Sequence, residues 1–193
     1  MNIFVLDNDP VIAAKMCCDK HVVKMAIESA QMLSTVIRET YGFDIISKDQ
    51  KKRKIIKIFN ESEDEKIIHW SAHRSHPCTL WAAESVENFL WLYNHGKGLC
   101  AEHIYRWDKV PSSLSVLESC RVVLQLCNNV MSDLEIPTIG LTPFIQAMPE
   151  QYKCDDAVLA YRNYYLGEKK RFAKWTKRNP PSWWLEKTND LDL

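Results

Sequence analysis

The chain has 193 residues, 46% of them hydrophobic and 26% charged, with 25 Lys+Arg balanced by 25 Asp+Glu. This is the profile of a globular protein with room for one cored domain, and it excludes a disordered chain and a charge-driven, histone-like binder. Any nucleic-acid site must therefore be a local basic patch on a neutral body.

The first residues, MNIFVLDND, carry no cationic segment and no long apolar run, and no stretch approaches the ~20 apolar residues of a membrane span. No signal peptide and no membrane partner are expected, and the expected location is the cytoplasm, or a host cytoplasm for a viral chain. The 7 cysteines include no C-x-x-C pair, and Cys100, Cys120 and Cys127 sit inside apolar patterns. They read as reduced core thiols. With only 5 Gly and 8 Pro and apolar residues mostly three or four apart, the expected fold is mainly α, a single-domain helical bundle over 1–193.

In chain order, Asn2 to Leu6 is a short apolar strand or a tucked-in arm. Asp9 caps a short helix from Pro10 to Cys17. The clearest helix runs from Asp19 to about Thr40. Val22, Val23, Ala26, Ala30, Leu33, Val36 and Ile37 form its apolar face, His21, Lys24, Glu28, Gln31 and Thr35 its polar one, and Gly42 its stop. Residues 47–66 form a charged insertion, a basic run (Lys51, Lys52, Arg53, Lys54) followed by an acidic one, with a strand near Ile55–Phe59. Pro77 opens a helix carrying Trp81, Val86, Phe89, Leu90, Leu92 and Tyr93, which HGKG (residues 95–98) breaks or loosens. Another helical stretch runs from Leu99 to Trp107. Ser112 or Ser113 caps a helix through Cys127. Residues 135–153 read as loop. The last helix is expected over 155–175 with a kink at Gly167, followed by an extended tail, so that 157–184 is an aromatic-basic segment.

Four constellations bear on chemistry. His21, Lys24 and Glu28 on one helix face suit acid–base or electrostatic roles, although on spacing alone a solvated helix face is the favoured reading. His69 and His73 have the spacing to share a metal if that segment is helical, but no acidic residue completes a zinc pattern, so no metal and no cofactor are expected. The C-terminal segment interleaves Tyr161, Tyr164, Tyr165, Phe172, Trp175, Trp183 and Trp184 with Arg162, Lys169, Lys170, Arg171, Lys174, Lys177 and Arg178. It reads either as a stacking and phosphate-binding surface or as a helix with an aromatic core face and snorkelling cations. The basic run at 51–54 reads as a solvated loop.

The stretch DKHVVKMAIE, with Asp19, His21 and Glu28, resembles the N-terminal helix of the pyrimidine-dimer DNA glycosylases of phages and viruses, the endonuclease V family. There an Asp-x-His step precedes a Glu by seven residues. HPCTLW, with His76, Pro77 and Trp81, is similar to a His-Pro step in bacterial relatives, and YRNYYLGEKK is similar to the family's aromatic basic tail. Over nearly its full length the chain also resembles a set of phage proteins sharing MNIFVLD, DKHVVKM, HPCTLW, GLTPFIQAMP and GEKKRFAKW, a likeness that implies no activity.

The glycosylase resemblance implies a mainly helical domain whose N-terminus threads into the site. It implies binding of damaged duplex DNA, displacement of a base, and attack of the N-terminal amine on deoxyribose C1′ to form a Schiff base. An α-amine titrates near ~8, so part of it is a neutral nucleophile at pH 7. Asn2 is bulky enough to keep the initiator methionine, which assigns the amine to Met1. By the same resemblance Glu28 is the catalytic carboxylate and His21 a phosphate or sugar contact. The expected substrate-binding residues are Asp19, Lys24, Gln31, His76, Trp81, Tyr161, Tyr165, Lys169 and Trp175. The expected function is cleavage of an N-glycosidic bond at a damaged or modified pyrimidine in DNA, with AP-lyase cutting of the strand by β-elimination as a second activity that the resemblance implies. The alternatives are action on a free nucleotide or a modified viral base, and non-catalytic binding of nucleic acid or a host protein.

Overall fold

The structure, a computed structural model, describes residues 1–41, 53–57, 65–130 and 136–189. These are mainly helical. The chain opens with an arm, residues 1–9, that is neither helix nor strand, although Ile3, Phe4, Val5 and Leu6 are all buried. Asp9 then caps α1 (Pro10–Met16), its carboxylate accepting from Val11 and Ile12 N–H. Proline at the first helical position has no N–H to leave unpaired there.

Helix α2 (Asp19–Tyr41) is the centre of the fold, packing against α3 (Pro77–Glu84), α4 (Val86–Trp107) and α5 (Ser113–Val130). Between α2 and α3, β1 (Arg53–Lys57) and β2 (Glu65–His69) pair antiparallel, Arg53 opposite His69. The strand expected near Ile55–Phe59 thus belongs to a hairpin and starts two residues earlier. Gly42 and most of the charged insertion lie outside the described residues. No helix among the described residues is long and apolar enough to cross a membrane.

Two sequence expectations are corrected in the middle of the chain. Helix α4 runs without a break through Gly96 and Gly98, and the interruption falls at Ser85, which is extended (φ −152°, ψ 158°) and caps α4 by accepting from Asn88 N–H. The glycines are there for close approach. A Cβ at Gly98 would stand 2.8 Å from the Ala14 Cβ, and one at Gly96 would stand 3.1 Å from the Ser29 Cβ and from Leu117. Gly98→Ala is expected to cost about 1–3 kcal/mol by overpacking the α1–α4 crossing; a thermal melt equal to that of the native protein would refute the packing role.

The C-terminal third also departs from expectation. Helix α6 (Ala157–Lys169), capped by Asp156, continues through Gly167, and the residue is glycine because Tyr152 packs over it and a Cβ would collide with the tyrosine hydroxyl and ring. The chain then turns, and the last described residues form α7 (Ser182–Asn189), where an extended tail is expected. The segment 136–149 has no regular structure but is tied down by α3, α4 and α6. Trp81 Nε1 donates to Pro143 O, Asn88 bonds Thr142 through both side-chain atoms, and Tyr161 donates to Ile145 O.

Six cysteines are buried and Cys154 is exposed, all as free thiols. Burial pushes the Cys78 and Cys120 thiols up to about 12, which makes them inert core groups.

Candidate active site

The arm of residues 1–6 lies across α2 and brings the start of the chain to Glu28. The Met1 amine is 3.7 Å from Glu28 Oε2, and Asn2 N–H donates to the same oxygen at 3.2 Å. Lys24 Nζ stands 3.4 Å from Glu28 Oε1, one turn back on α2. Both carboxylate oxygens are thus engaged by positive or donor groups, although Glu28 is only 9% exposed.

His76 sits at the N-cap of α3, its Nδ1 accepting from Cys78 N–H at 3.2 Å. By hydrogen-bond balance the ring proton is then on Nε2, a donor. Burial, the Met1 amine and His73 push its pKa down, with Glu28 opposing. His76 therefore shares its surroundings with both the amine and the carboxylate. Gln31, half-buried, follows Glu28 by one turn.

His21 is placed otherwise. Its ring is stacked on Phe4 (4.2 Å between centroids, 15° between planes) and edge-on to Tyr165 and Phe172. The Tyr165 hydroxyl accepts from Cys18 N–H and bonds His21 Nδ1. Burial, reinforced by Lys169, Lys24 and Lys20, holds the His21 pKa at about 3. At neutral pH this imidazole is uncharged, so it supports the arm and does not serve as a cation for phosphate. Spacing alone made the stripe of His21, Glu28 and Thr35 a solvated face. All three are buried, whereas Lys20, Val23, Lys24, Ile27 and, near the end of the helix, Glu39 face solvent.

His95 has the same electrostatic state for a simpler reason. It is fully buried against Trp91, neither ring nitrogen has a hydrogen-bond partner among the described residues, and burial alone lowers its pKa to about 3. Both histidines stay neutral in the fold but protonate near ~6.5 when unfolded. Their contribution is therefore complete above pH ~6.5 and is lost as pH falls from there towards 3, at up to ~1.4 kcal/mol per pH unit for each. Denaturant unfolding of His95→Phe is expected to show a shallower loss of stability between pH 6.5 and 4 than the native protein. Parallel curves would rule out His95 as a source of acid sensitivity.

Several expected site residues lie elsewhere. The Asp19 carboxylate is taken by Arg106 Nη1 (2.9 Å) and by Thr176 N–H and Oγ1 (2.9 and 2.8 Å). It joins a buried network in which Arg106 and Arg178 both bond Glu102. Trp81, Tyr161 and Tyr165 are core residues at 2%, 0% and 0% exposure, so none has a ring face left for a base. Trp175 is half-buried and donates its Nε1 to Met16 O. The aromatic face of the C-terminal segment thus points inwards. Arg162, grouped with its cations, holds the arm through Leu6 O (2.9 Å) and Asp7 (3.6 Å).

The rim that remains is cationic. Lys20 lies over the Phe172 ring at 4.6 Å, Arg171 over the same ring at 5.7 Å, and Lys169 over Tyr164 at 4.2 Å. With Lys24 and the Met1 amine they make a local positive field on a chain of zero net charge.

His69 ends β2 and His73 sits in a turn at φ 55°, so the helix that would let them share a metal is not there. No cluster of three or more His, Cys, Asp or Glu among the described residues is placed to hold a metal ion. Sequence reasoning missed Asn2, whose Nδ2 donates to Ala147 O at 2.8 Å, and Phe4, which stacks on His21. The one available signal was an Asn directly ahead of an apolar run at the chain start.

Comparison with protein-family models, with characterised proteins and with solved structures finds no match.

Proposed function

We propose that the protein cleaves the N-glycosidic bond of a damaged or modified pyrimidine in DNA, with the Met1 α-amine as nucleophile and Glu28 as its carboxylate partner. The observation that carries this reading is the position of the amine, 3.7 Å from Glu28 Oε2 on a residue whose side chain is 2% exposed. Chain ends are ordinarily loose and solvated. Here a buried arm delivers the α-amine to a carboxylate at the edge of a cationic rim.

The chemistry follows from that pairing. The amine attacks deoxyribose C1′ and passes a proton to Glu28. The C1′–N bond to the base breaks, and the base leaves with the bonding electrons and takes up a proton. Ring opening converts the C1′ adduct to an imine. Removal of a C2′ proton then expels the 3′ phosphate, which cuts the strand. Glu28 stabilises the positive charge that builds at C1′, and His76 Nε2–H is a donor available to the departing base. Lys20, Lys24, Lys169 and Arg171 supply phosphate contacts. Moving the target base out of the stack costs a few kcal/mol, least where a lesion has already weakened pairing.

Incubation with lesion-bearing duplex and borohydride is expected to give base release and a covalent adduct mapping to Met1. Neither product from well-folded protein would sink the proposal.

Zero net charge favours one further reading, the same site acting on a free nucleotide with few phosphates to neutralise. A nucleoside phosphate at 100 times its Kd would then stabilise the protein by ~2.7 kcal/mol in a melt. A duplex binder would instead show affinity falling steeply with salt.

A further inference from the structure

We infer that Asn2 is the positioning residue for the N-terminal amine, and that the working chain keeps its initiator methionine because the fold has a seat for it. The inference rests on the reading that this amine is the working group.

Asn2 is 6% exposed and uses nearly all of its hydrogen-bonding capacity. Its N–H donates to Glu28 Oε2 (3.2 Å) and its Nδ2 to Ala147 O (2.8 Å). Its Oδ1 accepts from Ile3 N–H (2.8 Å) and Phe4 N–H (3.2 Å). Those last two bonds curl the arm. Phe4 then takes a left-handed conformation, φ 38°, which a bulky residue adopts only where its surroundings fix it. What fixes it is the stack of its ring on His21 and the burial of both rings. Ahead of the clamp, the Met1 side chain packs against the core and its amine faces Glu28.

Few side chains can do this. Aspartate has no donor for Ala147 O, leucine has neither donor nor acceptor, and serine is too short to span both partners. The bulk of Asn2 also matters before folding, since methionine aminopeptidases remove Met1 only ahead of small residues. One side chain thus retains Met1 and aims it.

The test uses the full-length protein. Intact mass is expected to include Met1. Acylation of the α-amine at pH 7, followed by mass spectrometry without substrate, is expected to run about tenfold faster in Asn2→Leu, which keeps Met1 but loses the side-chain clamp. Asn2→Ser made in ordinary cells loses Met1 and is expected to give no borohydride-trapped adduct. The same variant made with methionine excision inhibited is expected to regain it. A native mass short of one methionine, or equal acylation rates in the native and Asn2→Leu proteins, overturns the inference. So does an Asn2→Ser chain lacking Met1 that traps DNA as well as the form retaining it. The absence of any adduct from native protein overturns the proposed chemistry instead, and mass and acylation still decide the clamp.

Discussion

Glu28→Gln is expected to slow base release from a lesion-bearing duplex by about 10³-fold while leaving duplex affinity essentially unchanged. Glutamine keeps the shape of the side chain and its place 3.7 Å from the Met1 amine and 3.4 Å from Lys24. It can neither take the amine's proton nor offset positive charge at C1′. The proposed phosphate contacts lie on other residues, so binding is expected to persist. The measurement is single-turnover base release set beside fluorescence anisotropy of the same duplex. A rate within a few-fold of native would remove Glu28 from the mechanism, and parallel loss of rate and affinity would make it a binding residue. The amide would also lie beside two cations in a half-closed site, so both measurements belong well below the variant's melting temperature.

Glu102→Ala is expected to be the most destabilising single substitution considered, at about 3–5 kcal/mol, because it strands a buried charge. Arg106 has a fully buried side chain and bonds Glu102 Oε2 through Nε and Nη2, while Arg178 bonds both Glu102 oxygens. Without Glu102, Arg106 keeps only Asp19 and the Lys15 carbonyl. A melting temperature lower by about 6–20 °C is expected for a chain of this size. A drop of under about 2 °C would show that water or rearrangement satisfies the guanidinium. Asp19→Ala tests the other end of the network. It is expected to lose stability yet keep its single-turnover rate at a temperature where it is folded, which separates a structural aspartate from a substrate contact.

The sequence made α2 legible almost to the residue, since its apolar spacing holds over six turns; it reaches Tyr41, one residue past the expected end at Thr40. Its orientation was not legible. Val23, assigned to the core, faces solvent, and His21 and Glu28, which spacing alone left on a solvated face, are inside. Periodicity reports one buried face, whereas α2 is covered on a second side by an arm that has no periodicity of its own. Gly96 and Gly98 show the same limit. A glycine pair signals either a stop or a close crossing, and only the presence of Ala14, Ser29 and Leu117 decides between them. In the C-terminal segment, composition listed the aromatics correctly but could not say which way they point. Tyr165 serves the site only by holding His21 from inside the core. The clamp was least legible of all, because Asn2 and Ala147 are 145 residues apart.

That separation has a consequence for how the chain is made. Asn2 is made before Ala147, which accepts its side chain, by 145 residues, and Leu6 before Arg162, which holds it, by 156. At about 5–20 residues per second the first residues wait roughly 7–30 s for their partners. Throughout that interval the amine is in water and open to the processing enzymes around the nascent chain. Burial in the finished protein comes too late to protect Met1. On the inference drawn for Asn2, Met1 survives through the side chain next to it, which later becomes its anchor.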